Sequence, residues 1–114
     1  MFEILGNPVP CPRPRVSRFR TYYPQKYTEW REGAKLALKN APTGHNIEIE
    51  YILKRPKRLG KTKTEIHTVK PDIDNLIKAT LDSLPFDDKI IHFITAKKRY
   101  ANHGEQPKTL INIF

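Results

Sequence analysis

Aspartate is missing from this chain before residue 72 and after residue 88, although 12 of its 114 residues are acidic. Cysteine occurs once, as Cys11, which excludes an internal disulfide and fits a reducing compartment. No apolar run approaches the ~20 residues needed to cross a bilayer, so a membrane-spanning helix is excluded. The opening MFEILGNPVP lacks a basic segment followed by an apolar one; no secretory signal is expected, and a cytoplasmic location is. Internal repeats are absent. With that single cysteine, His45, His67, His92 and His103 show no familiar zinc-ligand spacing.

What the chain has is positive charge: 21 Lys and Arg against 12 acidic residues, a net of +9. That balance implies a polyanionic partner, nucleic acid being the commonest and an anionic membrane surface the other candidate. With 38% hydrophobic and 29% charged residues the composition is globular, and residues 1–114 are expected to form a single domain with one modest core.

Residues 2–5 are a short strand candidate. In NPVPCPRPR, four prolines remove amide donors and forbid a helix. Residues 7–22 are therefore expected to form an extended arm carrying Arg13, Arg15, Arg18 and Arg20, followed by Tyr22 and Tyr23. Such a run can be a solvated loop, but aromatics beside arginines favour phosphates and bases. Pro24 suits the first turn of a helix running to about Asn40, with Tyr27, Trp30, Ala34, Ala37 and Leu38 at helical spacing. Trp30 is read as core rather than as a base-stacking platform. Ile47, Ile49, Tyr51 and Leu53 alternate along a strand, and RPKRLGKTKTE reads as a basic loop. Residues 90–100 read as a long strand ending in Lys97, Lys98 and Arg99, a further set of phosphate contacts, and TLINIF as a last strand after a short link. The pattern predicts an α+β domain, a mixed sheet with two main helices packed on one face.

The acidic segment KPDIDNLIKATLDSLPFDD holds all five aspartates. Such carboxylates repel one another unless a cation joins them. On one helix Asp72 and Asp74 would point apart. Pro71 is a natural boundary, and an extended 70–74 would project both from one side. A helix from about Asp74 to Ser83 would then bury Leu76, Ile77, Thr80, Leu81 and Leu84, leaving Asp74, Lys78 and Asp82 on the opposite stripe. If that helix packs beside the following strand, Asp88 returns towards Asp72 and Asp74, with Lys78 nearby. Three carboxylates would then form a Mg²⁺ site, with Mn²⁺ as a substitute, beside a phosphate-binding surface. The plainer reading is a helix cap, an i,i+4 ion pair and a turn. Next to carboxylates Lys78 stays cationic, suited to orienting water or offsetting charge rather than to acting as a neutral base.

KPDIDNLIKATLDSL followed by FDDKI resembles the core motif of the RusA-like Holliday junction resolvases, small endonucleases typical of phages and prophages. The stretch GNPVPCPRPRVSRFRTYYPQKY is similar to that family's Pro-rich opening. The resemblance implies metal ligation by Asp72, Asp74 and Asp88, and catalysis by these with Lys78. Asp88 is preferred to Asp87 because Ile90 follows at the family's spacing. It further implies a Mg²⁺-dependent homodimer that resolves four-way DNA junctions by paired nicks in recombination and repair. Asp82 matches a common family position with a supporting role. His67, just before the motif, is read as a surface histidine.

Two alternatives stay open on the residues alone. A non-catalytic nucleic-acid-binding module of phage type explains the charge but leaves the aspartates as caps and turns. A metal-dependent ribonuclease would use the same chemistry on another substrate.

Overall fold

The computed structural model describes residues 1–12 and 21–114, together with the strand residues 15–16; only the backbone is described at 15–16 and 21–22. In chain order the elements are β1 (Phe2–Leu5), β2 (Arg15–Val16), β3 (Thr21–Tyr22), α1 (Gln25–Ala37), β4 (Asn46–Leu53), α2 (Ile73–Leu81), β5 (Phe93–Tyr100) and β6 (Lys108–Ile113). Short 3-10 turns occupy Lys57–Leu59 and Asp88–Ile90. Strands β2 and β3 pair antiparallel with each other. The remaining strands form one mixed sheet in the order β1-β6-β4-β5. Strand β6 is antiparallel to both its neighbours, whereas β4 and β5 run parallel. The α+β architecture expected from the sequence is the observed one, with the helices packed against the sheet.

Alternation decides which face of the sheet is covered. Ile47, Ile49, Tyr51 and Leu53 of β4 join Ile111 and Ile113 of β6 and Ile4 of β1 in the core. Tyr27, Trp30, Ala34 and Leu38 from α1, with Leu76 and Ala79 from α2, fill the other side of that layer. Trp30 is core, as expected. Burying each large apolar side chain in this layer contributes ~1.5–3 kcal/mol. One polar link crosses it: Thr80 donates its hydroxyl hydrogen to the Leu76 carbonyl at 3.1 Å, so Tyr51 is the donor in the 2.6 Å Tyr51–Thr80 bond. Both residues are fully buried.

Two connections differ from the sequence reading. The short link between β5 and β6 does not join neighbouring strands, because β6 inserts between β1 and β4. Ala101 donates to the Leu53 carbonyl at 2.7 Å, carrying the chain past the end of β4, and Arg99 clamps the link by pairing with Glu105 at 2.7 Å. The other difference is in α2, which starts at Ile73 with Asp72 in its N-cap position, so Asp74 already lies in the first turn. Segment 70–74 is therefore not one extended run.

Parallel pairing of β4 and β5 makes α2 the crossover helix between them. Its N-terminal end, with Asp72, then lies towards the carboxyl end of β4. In open α/β arrangements that end of the strands is where ligands are received. No helix among the described residues is long and apolar enough to cross a membrane.

The Arg99 guanidinium, helped by the Asn102 amide, holds the Glu105 carboxyl at about 2 against an ordinary 4.5. A folded-state value below the unfolded one contributes stability that is complete above pH 4.5 and disappears as pH falls towards 2. Glu105→Gln should accordingly flatten the loss of thermal stability across that interval. A variant whose acid profile matches the parent's would refute the assignment.

Candidate active site

Asp72 caps α2 in position only. Its backbone is extended, with ψ of 140°, and its side chain makes no capping hydrogen bond. Asp74 accepts a hydrogen bond from the Asn75 amide through Oδ1 at 2.9 Å. Both carboxylates are exposed. Asp72 lines a hollow of about 450 Å³ with Lys26, Lys70, Asn75, Asn7 and the proline-rich segment from Pro8 to Pro12. The prolines explain that wall: they hold an extended path, and only the Cys11 amide is tied down, donating to the Asn75 carbonyl at 2.9 Å.

One turn further along α2, Lys78 pairs with Asp82 at 3.5 Å. The Asp82 charge is the main cause that raises the Lys78 pKa, so this side chain is an ammonium cation. Tyr27 of α1 donates its hydroxyl to Asp82 at 3.4 Å, and the Cys11 thiol approaches the same oxygen at 4.0 Å. Asp82 thus joins α1, the proline segment and α2. Burial is the first cause that raises the Tyr27 phenol pKa, followed by the hydrogen bond with Cys11. The supporting role expected of Asp82 takes this form, and neither of its partners from outside α2 was legible from spacing.

Asp88 lies elsewhere. It opens the 3-10 turn Asp88–Ile90, and the Ile90 carbonyl meets His45 Nδ1 at 3.0 Å, just before β4 begins. Asp72 lies towards the other end of that eight-residue strand, whose span is ~23 Å. The expectation that α2 would return Asp88 to Asp72 and Asp74 overlooks the crossover: its nine residues, ~13 Å, lead the chain away. Among the described residues no three of His, Cys, Asp and Glu are gathered closely enough to hold a metal ion. Asp87 accepts a hydrogen bond from the Lys89 amide at 3.0 Å and so serves as a turn cap, whereas Asp88 is exposed.

The basic run at the end of β5 is divided by strand parity. Lys97 pairs with Glu50 at 2.9 Å, and Arg99 pairs with Glu50 at 3.0 Å as well as with Glu105. Burial alone would raise Glu50, but the hydrogen bonds from Lys97 and Arg99 prevail and lower its pKa. Lys98, in register with Tyr51, faces the helices instead. Its ammonium donates to the Val69 carbonyl at 2.7 Å and the Pro71 carbonyl at 2.8 Å. Of the three cations expected as phosphate contacts, Lys97, still exposed, and Arg99 form ion pairs within the chain, and Lys98 holds the backbone on either side of Lys70. The side chains of Arg13, Arg15, Arg18 and Arg20 lie outside the described residues. His67 is not a surface residue: it is only 6% exposed and packs on Tyr100 with ring centroids 4.4 Å apart.

A donor set of two exposed carboxylates suits Mg²⁺, which takes one or two carboxylates and completes its shell with water and phosphate oxygens. Asp72 and Asp74 are two such exposed carboxylates at the start of α2, and among the described residues no third joins them.

Lys98→Met should release the Val69–Pro71 segment. The expected cost is ~1.5 kcal/mol of stability, the low end for hydrogen bonds to a charged group because Lys98 is only partly buried. Urea unfolding would read that cost, and amide exchange should quicken locally at residues 69–72; unchanged exchange there would remove Lys98 from its supporting role.

No sequence among the curated proteins matches the chain. The profile of the family described as endodeoxyribonuclease RusA matches residues 6–113, nearly all of the 114 residues. This chain belongs to the RusA endodeoxyribonuclease family.

Proposed function

We propose that this protein is a Mg²⁺-dependent, structure-selective endodeoxyribonuclease that cuts four-way DNA junctions in recombination and repair. The observation that carries this reading is Asp72, which lines a hollow together with Lys26 and Lys70, with Asp74 exposed two residues on in the first turn of α2. A polyanion is drawn to the cations, and the carboxylates supply hard oxygen ligands beside it. A Mg²⁺ ion held by Asp72 and Asp74 would supply Lewis-acid polarisation of a phosphate oxygen.

The chain's own groups do the remaining work. Lys78, kept protonated by Asp82, offsets negative charge that builds on the phosphate in the transition state. Lys98 fixes the carbonyls on either side of Lys70 and so orients the approach to Asp72. The basic loop at 54–63 and the arm carrying Arg13, Arg15, Arg18 and Arg20 hold flanking phosphates. Homodimeric assembly supplies two such sites for paired nicks, and it gives Asp88 a route into a site, since the Asp88 of a second copy is not bound by the crossover geometry.

With Mg²⁺ present, the wild-type chain should cut a synthetic four-way junction faster than the matching duplex or a structured RNA. Removing Mg²⁺ with chelator should abolish cutting. Asp72→Asn and Asp74→Asn should each reduce the rate on the order of 100-fold or more, while junction binding persists. Cutting by these variants at the wild-type rate would overturn the site. Binding without any cutting by the wild type would favour the non-catalytic module, and a preference for RNA would favour the ribonuclease. Asp88→Asn separates two arrangements: a comparable loss supports a contribution from the second copy, and full activity confines the site to α2.

A further inference from the structure

We infer that the cavity behind Pro71 is a subsite for a second DNA phosphodiester, the one neighbouring the bond that is cut, held by Lys54, Lys70 and His67. The inference rests on the nuclease reading and deepens it.

The cavity holds about 350 Å³ and lies on the other side of the Lys70–Pro71 step from the hollow of Asp72. The two share Asn7, Lys70 and Pro71 as walls, so they adjoin. Every charged residue that lines this second cavity is a cation: Lys54, Arg58 and Lys70. Arg58 is engaged with Glu65 and reaches the Tyr100 hydroxyl at 3.5 Å. Lys54 and Lys70 are exposed and make no ion pair among the described residues. A hollow with cations and without a lining carboxylate selects an anion.

His67 supplies the independent observation. It is more than nine-tenths buried, lines the cavity, and its Nδ1 has no hydrogen-bond partner among the described residues. Burial first, and then the Lys98 charge, lower its pKa, with only its own backbone pulling the other way. Nδ1 is itself closed to solvent, so a phosphate oxygen accepts the N–H of this neutral imidazole only after the ring turns towards the cavity. Buried polar groups without partners are few in folded proteins, and a ligand is one of the things that completes them. Lys98 anchors Val69 and Pro71, so that wall of the cavity is held in place before DNA arrives.

The two hollows share a wall, so a strand whose scissile phosphate lies at Asp72 would lead a neighbouring phosphate towards the second. The contact positions the strand and carries no base information.

The test uses the full-length chain without Mg²⁺ and a set of four-way junctions, each with a single neutral methylphosphonate near the cut. For the wild type, neutralising one phosphate immediately beside the cut should weaken binding about tenfold, the equivalent of one charged hydrogen bond. The same substitution should cost Lys54→Ala and His67→Gln less than about threefold, because the lost contact is already gone. Lys54 is exposed, so Lys54→Ala keeps the test valid if His67→Gln fails to fold. Equal penalties in wild type and Lys54→Ala, or no position-specific penalty in the wild type, would overturn the subsite. Because binding is read without metal, that failure is distinct from a failure of the wild type to cut with Mg²⁺.

Discussion

The buried hydroxyl chain from Tyr51 through Thr80 to the Leu76 carbonyl is the constraint on which the site's position depends. Helix α2 carries Asp74, Lys78 and Asp82 on its outer face, and its apolar inner face alone would tolerate sliding or rotation on the sheet. A short hydrogen bond between fully buried partners does not, since any shift leaves a hydroxyl unpaired in an apolar layer at a cost of ~1–3 kcal/mol. Burial pushes the Tyr51 phenol pKa well up, so it stays neutral and remains a donor at any ordinary pH. Asp82 adds a second tether from α1 through Tyr27.

Charge in this protein is sorted by the two faces of one sheet. Neighbouring residues of β5 point in opposite directions, so a run that reads as a basic patch becomes two different devices. On the uncovered face Lys97 and Arg99 are neutralised by Glu50 and Glu105, which closes the link to β6. On the covered face Lys98 spends its ammonium on two backbone carbonyls. Among the described residues, Lys54 and Lys70 beside the Lys70–Pro71 step are exposed and make no ion pair.

Much of this fold is legible from period alone. Alternation at Ile47, Ile49, Tyr51 and Leu53 identifies the central strand, and helical spacing from Tyr27 to Leu38 identifies α1 and its buried face. Proline marks the entries to both helices. The motif around Asp72 could be found because paired carboxylates at a helix boundary in a basic chain are chemically unusual. What stayed hidden depends on pairing partners remote in sequence. Parallel rather than antiparallel alignment of β4 and β5 decides that α2 is a crossover, and hence that Asp88 lies at the far end from Asp72. The burial of His67 beneath Tyr100 is likewise a tertiary matter, since IHTVKP has the polarity of a surface segment. The parity of Lys98 could have been read, because it shares a face with Ala96 and Tyr100.

Strand β6 has an interior place in the sheet, hydrogen-bonded to β1 on one side and β4 on the other, yet it is built from residues 108–113. During synthesis the sheet therefore has a gap at its middle until nearly all of these residues have left the ribosome. Before that moment β1 and β4 have no bridge between them, and the apolar faces of both lack their neighbour. The sheet therefore cannot close strand by strand in sequence order: its middle is completed only when residues 108–113 are in place.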